Sequence, residues 1–371
     1  MPDPVYLDHN ATAPLRPAAV EAAAEAMRAV GNASSVHRFG RDARRRVETA
    51  RERVAGLIGG DPAQVVFTGG GTEANNTALC AHAGERVLVS AVEHESVRRT
   101  LAHAETLPVD AAGRVDPEAL RRVLATPPRP GLVSVMLANN ETGVIQPVAE
   151  IARIAHAHGV RVHCDAVQAA GKIPVDMAAL GVDLLTLSAH KLGGPQGAGA
   201  LVIADAAPVP AYLRGGGQER GYRAGTENVP AIAGFGAAAA CAAEDDGHMA
   251  TVAAWRDRME AAAAAHVPDA VVHGAEAPRL PNTSCLGLPG VPAETQVMKL
   301  DLAGIAVSSG SACSSGKVQD SHVLSAMGAR EPGSAIRVSL GWNSRECALD
   351  RFLAVWCDLA ERRRAHRHAA A

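Results

Sequence analysis

Aromatic side chains are scarce: three tryptophans, three tyrosines and four phenylalanines make up 3% of the chain. So few flat rings leave little platform for stacking the bases of a single strand. Charge of either sign is nearly balanced, with a formal net charge of −3 and a pI near 6.6. That gives no electrostatic footprint for nucleic acid or an anionic membrane. The basic end, Arg362-Arg363-Arg364 with His366 and His368, reads as a solvated helix terminus. Long apolar runs are missing; the best, around Ala231 to Ala243, is too short to span a bilayer and mostly alanine and glycine. The seven cysteines, at positions 80, 164, 241, 285, 313, 347 and 357, are widely spaced. No Cys-x-x-Cys or His-Glu-x-x-His occurs, which argues against a structural zinc site and a disulfide framework, so no metal is expected. Met1 to Asp8 carries no basic-then-apolar leader. The expectation is a cytoplasmic protein in a reducing compartment.

What is present suits a globular enzyme. A length of 371 residues, 47% hydrophobic and 20% charged, supports a large core and two domains. Short β-branched runs at Val65-Val66-Phe67, Arg86 to Val92, Leu132 to Leu137, Val160 to Cys164, Leu184 to Leu187 and Ala200 to Ile203 read as buried strands. Amphipathic segments near 73–84, 95–104, 116–125, 147–158 and 168–180 read as the helices between them. This alternation predicts an α/β fold with a mostly parallel sheet covered on both faces. From about residue 240 the pattern changes: an alanine-rich helix over Ala250 to Ala265, strand-like pieces at 283–288 and 335–340, and a closing helix at 346–363. That reads as a smaller α+β domain.

One stretch, Ser308-Ser309-Gly310-Ser311-Ala312-Cys313-Ser314-Ser315-Gly316, puts a cysteine among residues with almost no bulk. It is either a nucleophilic thiol on a movable segment or a surface loop with an incidental cysteine. It is not a phosphate-binding loop, because Gly310 and Gly316 enclose five residues and Lys317 precedes Val318. The other six cysteines read as packing residues.

Ligands in such folds sit beyond the carboxyl ends of the strands, and the residues there form a set. Thr68-Gly69-Gly70-Gly71-Thr72 leads into a helix starting near Thr72, a natural phosphate cradle. Glu93-His94, Asn139-Asn140-Glu141, Asp165-Ala166-Val167-Gln168 and Ser188-Ala189-His190-Lys191 follow the next runs. Pyridoxal phosphate needs a phosphate site, an acid for its pyridinium nitrogen and a lysine for its aldehyde. Thr72, Asp165 and Lys191 are candidates for those tasks. Taken singly, Lys191 also reads as a surface lysine and Asp165 as a helix N-cap.

With these motifs in hand, the chain resembles the NifS/IscS-like cysteine desulfurases of the class-V aminotransferase family, in the subgroup with an extended cysteine loop. The likeness runs nearly end to end. It includes Tyr6-Leu7-Asp8-His9-Asn10-Ala11-Thr12, Asn32-Ala33-Ser34-Ser35-Val36-His37, Gly215-Gly216-Gly217-Gln218-Glu219-Arg220, Arg223-Ala224-Gly225-Thr226-Glu227-Asn228 and Ile336-Arg337-Val338-Ser339-Leu340-Gly341. Ala33 stands where many relatives have proline, and Ala224 where serine is usual. The resemblance implies the pyridoxal-phosphate-dependent transferase fold of the aspartate aminotransferase type. A large domain over 15–245 would carry a mostly parallel mixed sheet, and a smaller α+β domain of 1–14 with 246–371 would carry the Cys313 loop. It also implies that Lys191 binds the aldehyde, Asp165 pairs with the ring nitrogen, Gln168 bonds the ring oxygen and His94 stacks on the ring. Gly71, Thr72, Ser188 and His190 would hold the phosphate, with Thr226 reaching across a homodimer interface. Arg337, Asn140 and Asn32 would bind substrate, Asn140 also lying against the cofactor. L-cysteine would become L-alanine by way of a ketimine and a Cys313 persulfide. That sulfur would pass to an acceptor protein, an iron–sulfur scaffold or a thiolation factor. A selenocysteine lyase or carbon–sulfur lyase of the same fold is the rival enzyme, and a non-catalytic scaffold the rival of another class.

Overall fold

The computed structural model describes residues 3–204, 207, 209–244, 247–310 and 320–370. The chain begins with β1 (Val5–Tyr6) and two helices, α1 (Pro17–Arg28) and α2 (Arg38–Leu57). Pro17 starts α1 at a position where a missing N–H costs nothing. His37 caps α2, its Nδ1 accepting the Gly40 N–H.

Next comes the alternation the sequence predicts. In chain order it runs β2 (Val65–Thr68), α3 (Gly71–Cys80), β3 (Val87–Ser90), α4 (Glu95–Arg98) and β4 (Glu105–Leu107). It continues with α5 (Pro117–Leu124), β5 (Leu132–Ser134), α6 (Val148–His156), β6 (Arg161–Asp165), α7 (Met177–Leu180), β7 (Leu184–Ser188) and β8 (Gly199–Ile203). These strands form one seven-stranded sheet in the order β2-β8-β7-β6-β5-β3-β4. Only β8 runs antiparallel to its neighbours. Successive strand residues fall into two apolar clusters, Val65, Phe67, Leu88 and Leu185 in one, Val66, Val87, Val89 and Leu184 in the other. The period-2 alternation of side chains thus feeds a core on each face, which is why the strands read as unbroken apolar runs.

Three readings need correction. The edge strand β4 was not predicted, because Glu105 and Thr106 are exposed and give no apolar run. The segment 168–180 is helical only over Met177–Leu180. Gly171 takes φ 75°, and Pro174 disfavours helix at the residue before it, so the chain passes through turns there. After Ser134 the predicted strand becomes irregular, although Val135 N–H and Leu137 N–H still reach His163 O and Asp165 O.

The remaining elements are α8 (Val229–Ala243), α9 (His248–His266), β9 (Val271–Val272), β10 (Thr283–Gly287) and α10 (Ala293–Leu302). They are followed by β11 (Ile305–Ala306), β12 (Ser308–Ser309), α11 (His322–Ala326), β13 (Ala335–Ser339) and α12 (Glu346–Ala370). The alanine- and glycine-rich α8 lies against α1 and α2, where small side chains permit close approach. A four-stranded antiparallel sheet, β12-β13-β10-β9, backs onto α9 and α12 through Met259, Leu286, Val338, Phe352 and Trp356. Leu7 joins that cluster because β1 pairs with β11, so the N-terminus is built into the C-terminal core. No helix among the described residues is long and apolar enough to cross a membrane.

Candidate active site

Because β2, β3, β5, β6 and β7 are mutually parallel, their carboxyl ends meet at one edge of the sheet. β8 runs the other way, so its first residue, Gly199, arrives at that same edge. A Cβ on Gly199 would stand 2.5 Å from the Gly70 carbonyl carbon and 2.8 Å from Leu187 O, so only glycine lets the glycine turn settle there. The cavity at this edge has a volume of about 370 Å³. It is lined by Gly71, Thr72, His94, Asn140, Asp165, Gln168, Ser188, His190, Lys191 and Arg337.

At the end of β6, Asp165 is fixed on both oxygens. Oδ1 accepts the Val167 N–H at 3.0 Å and Oδ2 accepts Asn75 Nδ2 at 2.8 Å. The first contact caps a turn rather than a helix, so the N-cap alternative is not what forms. Asn75, one turn along α3 from Gly71, also donates to Ser96 Oγ at 2.9 Å, which lies 2.8 Å from His94 Nδ1. His94 Nδ1 accepts the Ser96 N–H at 3.1 Å. A nitrogen that accepts carries a lone pair, so in the neutral ring the proton sits on Nε2.

Lys191 ends a single 3₁₀ turn after β7, and its Nζ donates to Asn10 O at 2.5 Å and Ala11 O at 2.7 Å. It is a lysine turned into the cavity, not a surface one. Beside it, burial and then Lys191 and Lys172 push the His190 imidazole down to about 4, so it stays neutral near pH 7. The first turn of α3 at Gly71 and Thr72 has no side-chain cap. Its N–H groups and positive dipole end face a second, adjoining cavity shared with Ser188 and His190.

Arg337 comes from the other sheet, on β13. Its Nη2 donates to Asp8 Oδ1 at 2.8 Å and its Nη1 to Asn140 O at 3.1 Å, while its buried Nε has no hydrogen-bond partner among the described residues. Ser308 on β12 is registered opposite Arg337, and its Oγ donates to Asp8 Oδ2 at 2.8 Å. The segment that carries Cys313 therefore departs from beside Arg337, and Cys313 itself lies outside the described residues. On the far side of that segment, Ser321 Oγ donates to Glu141 at 2.5 Å. Burial pushes the Glu141 carboxyl up to about 7.

Two of the sequence-based candidates lie elsewhere in the single chain. Thr226 lines a separate cavity with Gly69 and Arg223, on the outer side of the glycine turn. Asn32 is exposed between α1 and α2, its Oδ1 taken by the Ser34 N–H. Cys347 is exposed in the first turn of α12, so it is not a packing residue, whereas Cys164 and Cys285 are buried with their thiols pushed up. Sequence reasoning assigned no role to Asn10, Asn75, Ser96 or Lys172. For Asn75 the signal was available: it follows Gly71 by four positions on one helix, hence on the same face.

Residues 5–352 match the family model described as aminotransferase class-V. A cysteine desulfurase from Cereibacter sphaeroides is 44% identical, with 97% of each chain covered. An IscS-like cysteine desulfurase from Mycobacterium tuberculosis is 41% identical over 94% of each. Among solved structures, a NifS-like protein from Rickettsia africae superposes with a TM-score of 0.90 at 34% identity, over 96% of this chain and 99% of that one.

Proposed function

The chain belongs to the class-V aminotransferase family, and on that footing we propose that it is a pyridoxal-phosphate-dependent cysteine desulfurase converting L-cysteine to L-alanine. The observation that carries this reading is the meeting of Lys191, Asp165, His94 and Arg337 around one cavity.

The donor set fits pyridoxal 5′-phosphate. Lys191 offers an amine, Asp165 a carboxylate held by two donors, and the uncapped start of α3 with Ser188 and His190 a phosphate seat. Gln168 offers an amide to the ring oxygen, and the His94 ring lines the wall. Bound there, the cofactor supplies an aldehyde for an amino group and a ring that accepts electrons from the α-carbon. Lys191 Nζ, leaving its two carbonyl partners, takes the α-proton. Arg337 receives the substrate carboxylate on its guanidinium, which Asp8 and Asn140 O hold in place. His94 donates its Nε2 proton toward the substrate sulfur, since Ser96 holds Nδ1.

Cys313 then attacks the substrate sulfur as a thiolate. The new S–S bond forms as the C–S bond breaks, and the electron pair stays with carbon. That carbon takes up the proton Cys313 gave up, leaving L-alanine and a Cys313 persulfide. The sulfur goes on to an acceptor protein in the cytoplasm, most directly one that assembles iron–sulfur clusters. Thr226 contributes to the phosphate seat across a homodimer interface, and Asn32, exposed outside the cavity, needs the same second chain to reach substrate. The division into 15–245 and 1–14 with 246–371 belongs to this proposal, supported by the two separate apolar cores.

The test is incubation with L-cysteine followed by mass spectrometry of the intact chain. One added sulfur on the Cys313 peptide, with alanine released, is the expected result. Cys313→Ala should stay yellow with cofactor and take up no sulfur; sulfur release at the full rate from that variant would overturn the reading.

A further inference from the structure

Lys172 is a half-buried lysine that the proposed chemistry does not use. It lies one turn beyond Gln168, where the chain bends at Gly171. Its Nζ donates to Gln168 Oε1 at 2.7 Å and to Asn10 Oδ1 at 2.8 Å. Both acceptors are neutral oxygens. Burial, Lys191 and Arg337 all push the Lys172 ammonium well below its ordinary range. A buried amine among two other cations and without a carboxylate on it is costly, so its place calls for a reason.

The hydrogen bonds supply one. An amide can present either oxygen or nitrogen, and Lys172 settles the choice for Gln168. With Oε1 taken, Nε2 is the group turned to the cavity, where it donates to Asn10 O at 3.0 Å. Asn10 is settled in the same way: its Oδ1 accepts from Lys172 and from Asn282 Nδ2 at 3.0 Å, so its Nδ2 donates to Thr283 Oγ1 at 2.9 Å. The Asn10 carbonyl is also the acceptor that holds Lys191 Nζ. One amine therefore orders the donor facing the ring oxygen and the side chain of the residue whose main-chain carbonyl holds Lys191.

We propose that Lys172 is a positioning residue for the cofactor, acting through Gln168 to present its Nε2 as a donor to the ring oxygen of pyridoxal 5′-phosphate. This rests on the cofactor reading above. Removing the amine leaves Gln168 Oε1 without its charged donor and lets the amide turn over.

The experiment is a double-mutant cycle on cofactor affinity and on the visible absorption band of the bound cofactor. Apoprotein is titrated with pyridoxal 5′-phosphate, and circular dichroism checks the fold of each variant. Lys172→Met and Gln168→Leu should each weaken binding by about tenfold, the loss of one hydrogen bond to a charged group, and should move the band in the same direction. The double variant should be no weaker than Gln168→Leu alone. Lys172→Arg, which keeps a donor and its charge, should retain the wild-type band and stands in if the Met variant does not fold; a band displaced as in Gln168→Leu would then count against the proposal. Wild-type affinity and band in Lys172→Met, or a loss that adds in full to that of Gln168→Leu, would overturn the positioning role alone. Wild-type protein that takes up no cofactor would overturn the cofactor reading and this inference together.

Discussion

Asp8 and Arg337 are joined by a 2.8 Å ion pair that ties the segment just after the first strand to β13 in the second sheet. The same carboxylate takes Ser308 Oγ, so one side chain holds both the arginine and the root of the cysteine segment. Arg337 is 4% exposed and Asp8 16%. Removing Asp8 from so buried a pair leaves the Arg337 guanidinium without its ion-pair partner. Asp8→Ala should therefore cost about 3 kcal/mol of unfolding free energy, measured by urea denaturation. A loss below about 0.5 kcal/mol, the size of an exposed pair, would count against the burial argument.

Arg337→Lys separates charge from geometry. Lysine keeps the positive charge but loses the planar fork that Asp8 and Asn140 O hold in place. The variant should lose about a hundredfold in kcat/KM for L-cysteine, with cofactor absorbance unchanged. Steady-state kinetics beside an absorption spectrum make the check; equal losses of cofactor and turnover would place Arg337 in the cofactor seat instead.

Gly199→Ala tests the glycine turn. The added methyl would meet backbone atoms at Gly70 and Leu187, which cannot swing aside. The turn ahead of α3 should open and cofactor affinity fall by more than about tenfold, with a stability loss of roughly 2 kcal/mol. Fluorescence titration of apoprotein with pyridoxal 5′-phosphate, alongside thermal melting, reads both.

Glu93 gives a pH prediction. Its Oε1 accepts from Ser90 Oγ and Met136 N–H, both at 2.6 Å, while Oε2 has no partner among the described residues, and burial pushes the carboxyl up to about 8. A carboxyl whose folded value lies above its unfolded one stabilises the protein below about pH 4.5, and that contribution is lost as pH rises through about 8. Glu141, raised to about 7, acts in the same direction. Glu93→Gln keeps the acceptor and removes the titration. Urea unfolding at pH 5 and pH 9 should show the wild type losing on the order of 4 kcal/mol more than the variant. Parallel pH profiles would mean that Glu93 is not buried as a neutral acid.

Much of the site is readable in the chain because each strand end carries its own polar residue. Asp165, Ser188, Lys191 and the glycine turn all follow apolar runs, and parallel strands bring such positions to one edge. Residues that act through others gave no such sign. Asp8 and Asn10 reach the site across long separations, as does the contact of Lys172 with Asn10, and their roles are defined only by what they touch. The helix expected over 168–180 stops short because Gly171 and Pro174 bend the chain there, although Lys172 and Gln168 keep the four-residue spacing of neighbours on one helical face.

By itself the sequence determined the alternation of strand and helix, the family, and the chemistry-bearing residues, because these depend on local pattern and residue type. Tertiary structure alone decided that Arg337 rests on Asp8, that Asn75 links Asp165 to His94 through Ser96, and that Lys172 reaches Asn10. Hydrogen bonds between distant residues depend on which side chains the packed sheets bring within about 3 Å, and local sequence carries no record of that distance.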